Sequence, residues 1–257
     1  MYRPRVIPCL LLRNKGLVKS IQFKEHRYIG DPMNAVKLFN DLRADELIFL
    51  DITATQEKRS IDSELVGLIG DEANMPFTVG GGIRSLNKIE ELIKAGAERV
   101  CLNSYALENP KFVRQASDEF GASTIVVCID VKKNLLRREQ VYSVAGTKST
   151  GLDPLAWAKQ IEDLGVGEIV IQSIEHDGKM NGYHWELTKK VSRAVGVPVV
   201  ALGGAGSLND IVQAAKECEV SAMSAGSLFV YHGARRAVLV NFPPQNDLKE
   251  AFIFYSV

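Results

Sequence analysis

Eight short apolar runs, each followed by a stretch of helical periodicity, constrain this chain more than any other feature. The runs are Arg5–Leu12, Leu47–Thr53, Pro76–Gly80, Arg99–Asn103, Thr124–Val131, Glu168–Ile174, Val197–Leu202 and Ala222–Ala225. They are rich in Val, Ile and Leu with little in–out alternation, the pattern of strands covered on both faces of a parallel sheet. Asp31-Pro32 opens a helical stretch that puts Ala35, Leu38, Phe39 and Leu42 on one stripe. Ser85 opens one with Ile89, Leu92 and Ile93, and Asp153-Pro154 one with Leu155, Trp157, Ala158 and Ile161. An Asp or Ser side chain caps free backbone N–H groups, and Pro fits the first helical turn. Eight such units in 257 residues predict one (β/α)8 TIM barrel spanning residues 1–257. A doubly wound open sheet is the rival on pattern alone.

A weak internal repeat favours the barrel. Pro8-Cys9-Leu10-Leu11-Leu12 resembles Val127-Cys128-Ile129-Asp130-Val131, and Val79-Gly80-Gly81-Gly82-Ile83 resembles Leu202-Gly203-Gly204-Ala205-Gly206. Ser104 and Ser227 each close a strand at nearly the same offset. Half-barrels of about 1–120 and 121–240, with a tail over 241–257, would produce this register.

Charge and composition exclude whole classes. Lys plus Arg is 31 and Asp plus Glu is 31, so the basic excess of a nucleic-acid binder is missing. No apolar run approaches the roughly 20 residues that span a bilayer. The N-terminal run after Arg3 and Arg5 is short and holds Pro8, so it reads as a buried strand rather than a signal peptide. Cys9, Cys101, Cys128 and Cys218 form no CxxC pair and read as free thiols of a cytoplasmic protein. Neither a metal site nor a cofactor is expected. His26, His176, His184 and His232 are scattered and read as solvated or structural, and Trp157 and Trp185 as helix packing. The apolar tail Ala251–Val257 can dock on the barrel's exterior or on a partner.

In a barrel, ligands meet the loops after the strands. Gly80-Gly81-Gly82 and Asn103-Ser104 follow the third and fourth strands, and Gly203-Gly204-Ala205-Gly206 and Gly226-Ser227 the seventh and eighth. Glycine lets backbone N–H groups approach an anion, so each half carries a candidate phosphate cradle, with Asp177-Gly178 completing the second. Turns need glycine anyway, so the symmetric placement carries the argument. Two cradles suit a ligand with a phosphate at each end. Asp51 and Asp130 close strands 2 and 5 at the same mouth, where a carboxylate is either paired or functional. The repeat partner of Asp130 is Leu11. At the opposite strand ends stand Arg5, Glu46, Arg99 and Glu168: either flanking surface charges or a mutually neutralising ring across the barrel's far end.

Taken in order, many segments resemble one family. They are Arg5-Val6-Ile7-Pro8-Cys9-Leu10, Gly30-Asp31-Pro32, Asp45-Glu46-Leu47, Leu50-Asp51-Ile52-Thr53-Ala54, Glu57-Lys58-Arg59, the run from Pro76 to Ile83, Glu108-Asn109-Pro110, Ser173-Ile174, Asp177-Gly178, Gly182-Tyr183 and Gly203-Gly204-Ala205-Gly206. The family is HisF, the cyclase subunit of imidazole glycerol phosphate synthase, and the likeness covers about residues 3 to 230. It implies a barrel that takes ammonia from a HisH-like glutaminase at its N-terminal face and passes it to the C-terminal face. There a bisphosphorylated ribulosyl-aminoimidazole carboxamide becomes imidazole glycerol phosphate and a carboxamide ribonucleotide. Implied phosphate and substrate contacts are Lys19, Asp51, Gly82, Asn103, Ser104, Asp177, Gly178, Gly204, Gly226 and Ser227. The implied ammonia gate is Arg5, Glu46 and Glu168, with Arg99 in place of a lysine.

Asp130 matches the second of two catalytic aspartates, and Leu11 stands where the first belongs. Leucine cannot transfer a proton. Leu11-Leu12-Arg13-Asn14, the segment from Gly226 to Gly233, and Val240-Asn241-Phe242-Pro243-Pro244 resemble a divergent branch found with surface-polysaccharide sugar amidotransferases. Three functions follow: ammonia supply for sugar amidation, the histidine-pathway cyclase working with Asp130 alone, or a non-catalytic barrel that activates the glutaminase.

Overall fold

The strands close on themselves. In the computed structural model, which describes residues 3–253, the eight runs form β1 (Arg5–Arg13), β2 (Leu47–Asp51), β3 (Phe77–Gly80), β4 (Arg99–Leu102), β5 (Ile125–Lys133), β6 (Glu168–Ser173), β7 (Val199–Leu202) and β8 (Ala222–Ala225). Each pairs in parallel with the next. β8 returns to β1 with Arg5 opposite Ala222 and Pro8 opposite Ala225, so the sheet is a barrel and the open-sheet rival falls. The outer ring is α1 (Pro32–Asp41), α2 (Ser63–Glu72), α3 (Leu86–Lys94), α4 (Ser104–Glu108), α5 (Lys111–Phe120), α6 (Pro154–Asp163), α7 (Trp185–Ser192), α8 (Leu208–Cys218) and α9 (Gln245–Ala251). No helix among the described residues is long and apolar enough to cross a membrane.

Capping explains where several helices begin. Asp31 accepts hydrogen bonds from Met33 and Asn34 N–H, and Asp153 from Leu155 and Ala156 N–H, each just before the Pro that opens its helix. Asp62 caps α2 and His184 Nδ1 caps α7, while Ser85 caps α3 and Ser207 caps α8. The pairs Asp31/Asp153, Asp62/His184 and Ser85/Ser207 are each 122 positions apart, so equivalent helices in the two halves start at equivalent places.

Two separate apolar regions result. A large outer core lies between strands and helices, and a narrower column inside the barrel holds Ile7, Cys9, Ile48, Cys101, Val126, Cys128, Val170, Val200, Leu202 and Ala222. A strand covered on both faces supplies side chains to both, which is why the runs lack alternation.

Several expected boundaries move. The seventh strand begins at Val199 rather than Val197, and the second ends at Asp51 rather than Thr53. On α1 the inward stripe is Ala35, Val36 and Phe39, whereas Leu38 is 44% exposed. Lys19 is not in a plain loop. It lies in a hairpin of strands Gly16–Ile21 and Lys24–Gly30 that continues β1. A second hairpin, Glu139–Ser143 with Lys148–Ser149, continues β5. At the C-terminus α9 precedes Phe252, which is fully buried in the outer core with Leu248, so this part of the tail docks on the barrel itself. Phe254 and Tyr255 lie outside the described residues.

Candidate functional site

A pocket of about 270 Å³ opens at the C-terminal ends of the strands. Cys9, Leu50, Cys101, Cys128 and Leu202 line it and also belong to the inner column or pack against it, so the column reaches the pocket floor. Burial pushes the Cys9 thiol up to about 12, and a hydrogen bond with Cys101, followed by burial, holds Cys128 well above its ordinary value. The Cys9 and Cys128 thiols therefore stay protonated near pH 7. Leu11 is part of the wall and presents an apolar side chain there.

Three acids line the pocket: Asp51, Asp130 and Asp177. Asp130, at the end of β5, is buried, and that burial pushes its carboxyl up to about 7 despite bonds from Cys128 and Asn103 that favour the charged form. Its position is fixed by a relay. Val144 N–H donates to Ser104 Oγ at 2.9 Å, Ser104 Oγ to Asn103 Oδ1 at 3.1 Å, and Asn103 Nδ2 to Asp130 Oδ2 at 3.0 Å. Asn103 and Ser104, expected at a phosphate, use their side chains to orient the acid; their backbone remains at the β4–α4 junction.

The other two carboxylates are engaged elsewhere. Asp51 Oδ2 is 2.5 Å from Arg59 Nη1, and Oδ1 accepts from Thr53 and Ala54 N–H. Asp51 thus folds its own loop, and its charge is matched by Arg59, a partner the sequence gives no local reason to select. Asp177 Oδ2 accepts from Ser20 Oγ at 2.7 Å and from Phe23 N–H at 3.3 Å, and its backbone oxygen accepts from Gln22 N–H. These bonds clasp the first hairpin to the loop after β6. Burial raises the Asp177 pKa, against these bonds. Lys19, on that hairpin, is buried with Nζ 2.5 Å from the Cys9 carbonyl and packed against Gly226. Burial lowers its pKa.

The glycine turns are built for close approach. Gly82 has φ +62°, and a Cβ there would lie 1.9 Å from the Arg59 carbonyl; Gly204 has φ +114°, and a Cβ would lie 2.1 Å from the Gly182 carbonyl. Both positions exclude other residues sterically and by backbone conformation. Gly178, beside Asp177, likewise abuts the Ser20 carbonyl. Gly226-Ser227, after β8, sits at the rim beside Lys19 with Ser227 buried. The two candidate cradles therefore face one pocket, which Gly82, Gly178, Gly204, Gly226 and Ser227 all line.

At the other end of the column the four strand-leading charges meet. Arg5 Nη1 lies 2.5 Å from Glu46 Oε2, and Arg5 Nη2 bonds Glu168 Oε1. Arg99 Nη1 is 3.1 Å from both Glu46 Oε1 and Glu168 Oε2, and Thr78 Oγ1 donates to Glu46. Burial opposes the Arg5 charge, but Glu168 and Glu46 outweigh it and raise the Arg5 pKa. The four residues form one closed ring of two cations and two anions rather than separate surface charges. No group of His, Cys, Asp and Glu among the described residues has the arrangement of a metal site.

Comparison with known proteins finds relatives along nearly the whole chain. The model of the family described as histidine biosynthesis protein matches residues 5–235. A Vibrio vulnificus protein provisionally named imidazole glycerol phosphate synthase subunit hisF3 is 44% identical over 98% of this chain and 97% of its own. A Pseudomonas aeruginosa protein provisionally named as subunit hisF2 is 43% identical over 96% of this chain and 99% of its own. Imidazole glycerol phosphate synthase subunit HisF of Lactococcus lactis is 43% identical over 98% of this chain and 100% of its own.

Proposed function

The chain belongs to the histidine biosynthesis protein family as a HisF-like imidazole glycerol phosphate synthase subunit, and from that premise we propose that it is the ammonia-using subunit of a cytoplasmic, glutamine-dependent complex. A HisH-like glutaminase docks at the face bearing the Arg5–Glu46–Arg99–Glu168 ring. Ammonia passes along the apolar column, and a phosphorylated substrate lies across the two cradles above it. Asp130 handles the proton. What supports its role above all is that it is the pocket acid whose carboxyl is poised near neutrality, about 7, while Asp51 is tied to Arg59. A group with that pKa is substantially populated in both protonation states at pH 7, as a residue that alternately accepts and donates a proton requires.

The reaction that the relatives support best is the cyclase step. Ammonia condenses with the ketone of the bisphosphorylated ribulosyl-formimino-aminoimidazole carboxamide with loss of water, and ring closure onto the formimino carbon breaks that carbon's bond to the aminoimidazole nitrogen, which releases imidazole glycerol phosphate and a carboxamide ribonucleotide. One observation favours a second reading. Leu11 brings an apolar side chain to the pocket where the family resemblance expects an acid, and losing one of two general acid–base groups typically costs about 10²–10⁴ in rate. In that reading the barrel passes ammonia to a separate enzyme that amidates a surface-polysaccharide sugar. The test is steady-state turnover of the bisphosphate substrate with ammonium. The cyclase reading expects turnover that Asp130→Asn abolishes. The ammonia-supply reading expects almost none in the native chain and a gain of at least ~100-fold in Leu11→Asp. Native turnover that is insensitive to Asp130→Asn would sink the catalytic assignment.

A further inference from the structure

One side chain facing the pocket has an acceptor that the protein does not use. Gln172, on β6, is 5% exposed and stands in register with Asp130 on β5 and Leu202 on β7. Its Nε2 points to Asp177 Oδ1 at 3.5 Å, which leaves Oε1 turned the other way. Oε1 is buried and has no hydrogen-bond partner among the described residues. Among the described residues the one other such side-chain oxygen, Ser117 Oγ, is on α5, outside the barrel.

Burying an acceptor without a donor is unfavourable, and an apolar side chain of the same shape would avoid that cost. The neighbourhood offers little relief, because Leu202 and the thiol-lined floor are apolar. Gly203, with φ +94°, leaves the carboxamide its room: a Cβ there would come within 3.2 Å of Nε2. The same glycine begins the second cradle, so Gln172 stands at that cradle's edge and lines the same pocket.

We propose that Gln172 Oε1 is a specificity contact: it accepts a hydrogen bond from a hydroxyl of a sugar phosphate whose phosphate occupies the second cradle. This rests on the phosphate-cradle reading given above. The donor is an O–H close to the ester, and Nε2, held toward Asp177, fixes the plane of the carboxamide. Gln172 touches the ligand without exchanging a proton, since an amide neither gains nor loses one near pH 7.

Calorimetric titration of the full chain with inorganic phosphate and with D-ribulose 5-phosphate tests the assignment. Gln172→Met keeps the volume and removes the acceptor; Gln172→Asn keeps the carboxamide but withdraws it by one methylene. Both variants should bind inorganic phosphate as the native chain does and ribulose 5-phosphate about tenfold more weakly. Gln172→Met should melt close to the native chain, because the buried, unpaired oxygen it removes offsets the long 3.5 Å bond to Asp177 that it also loses. Equal ribulose 5-phosphate affinity in native and Met chains overturns the proposal while leaving the cradles standing. So does a Met variant that melts lower and loses both ligands, which marks a purely structural role. A native chain that binds neither ligand sinks the cradles and, with them, this contact.

Discussion

Replacing Asp130 with Asn separates the acid's chemistry from its cost to the fold. The folded protein holds this carboxyl at about 7, against 3.8 when unperturbed, and desolvation is the principal cause. Below the unfolded pKa both states carry the proton and the group is neutral to stability. As pH rises, the unfolded chain ionises first while the native protein keeps its proton, so stability falls until pH passes the folded value. Integrated between about pH 5 and about pH 8, this single group costs the native protein about 2–3 kcal/mol. Asn is nearly isosteric, can still accept from Asn103 Nδ2, and does not titrate. Urea denaturation of both proteins at the two pH values gives a direct comparison. Asp130→Asn should gain on the native chain by about that amount as pH rises, while losing turnover. Parallel pH dependence of the two proteins would refute the assignment of a raised pKa, and with it the argument that this acid is poised for proton transfer.

Two further outcomes test the ring and a cradle. Glu46→Gln leaves Arg5 and Arg99 facing a single carboxylate, Glu168, in a region where Glu46 is buried. It should lower unfolding free energy in urea by about 2–3 kcal/mol, somewhat below the roughly 3–5 kcal/mol of a fully buried broken pair because both arginines keep some solvent. Gly204→Ala combines φ +114° with a Cβ 2.1 Å from the Gly182 carbonyl; it should lower the melting temperature and weaken inorganic phosphate binding, and an unchanged phosphate affinity would remove Gly204 from the cradle.

The barrel was legible because its signals are local and repeated. Apolar runs of strand length, an Asp-Pro or Ser at helix starts, and a period of about half the chain all lie in the order of residues. The ring was legible for a related reason. Arg5, Glu46, Arg99 and Glu168 each lead an apolar run, and parallel strands in a closed barrel bring their starts to one end. The hairpin strand Lys24–Gly30 was not legible, because it is exposed along most of its length and carries no apolar period. The inward turn of Val36 instead of Leu38 depends on how α1 rotates against its neighbours, which no single helix encodes.

The sequence by itself determined the eight-unit barrel, the end at which the candidate cradles stand, the charges at the other end, and the apolar residue at position 11. Tertiary structure alone decided which polar groups remain available. Arg59 neutralises Asp51, Ser20 and Phe23 engage Asp177, Asn103 orients Asp130, and Gln172 is left with a buried oxygen that has no partner among the described residues. Residue type records that a side chain can bond. Whether it has already done so depends on partners brought within a few ångströms by chain closure, and burial then decides which groups titrate near neutrality.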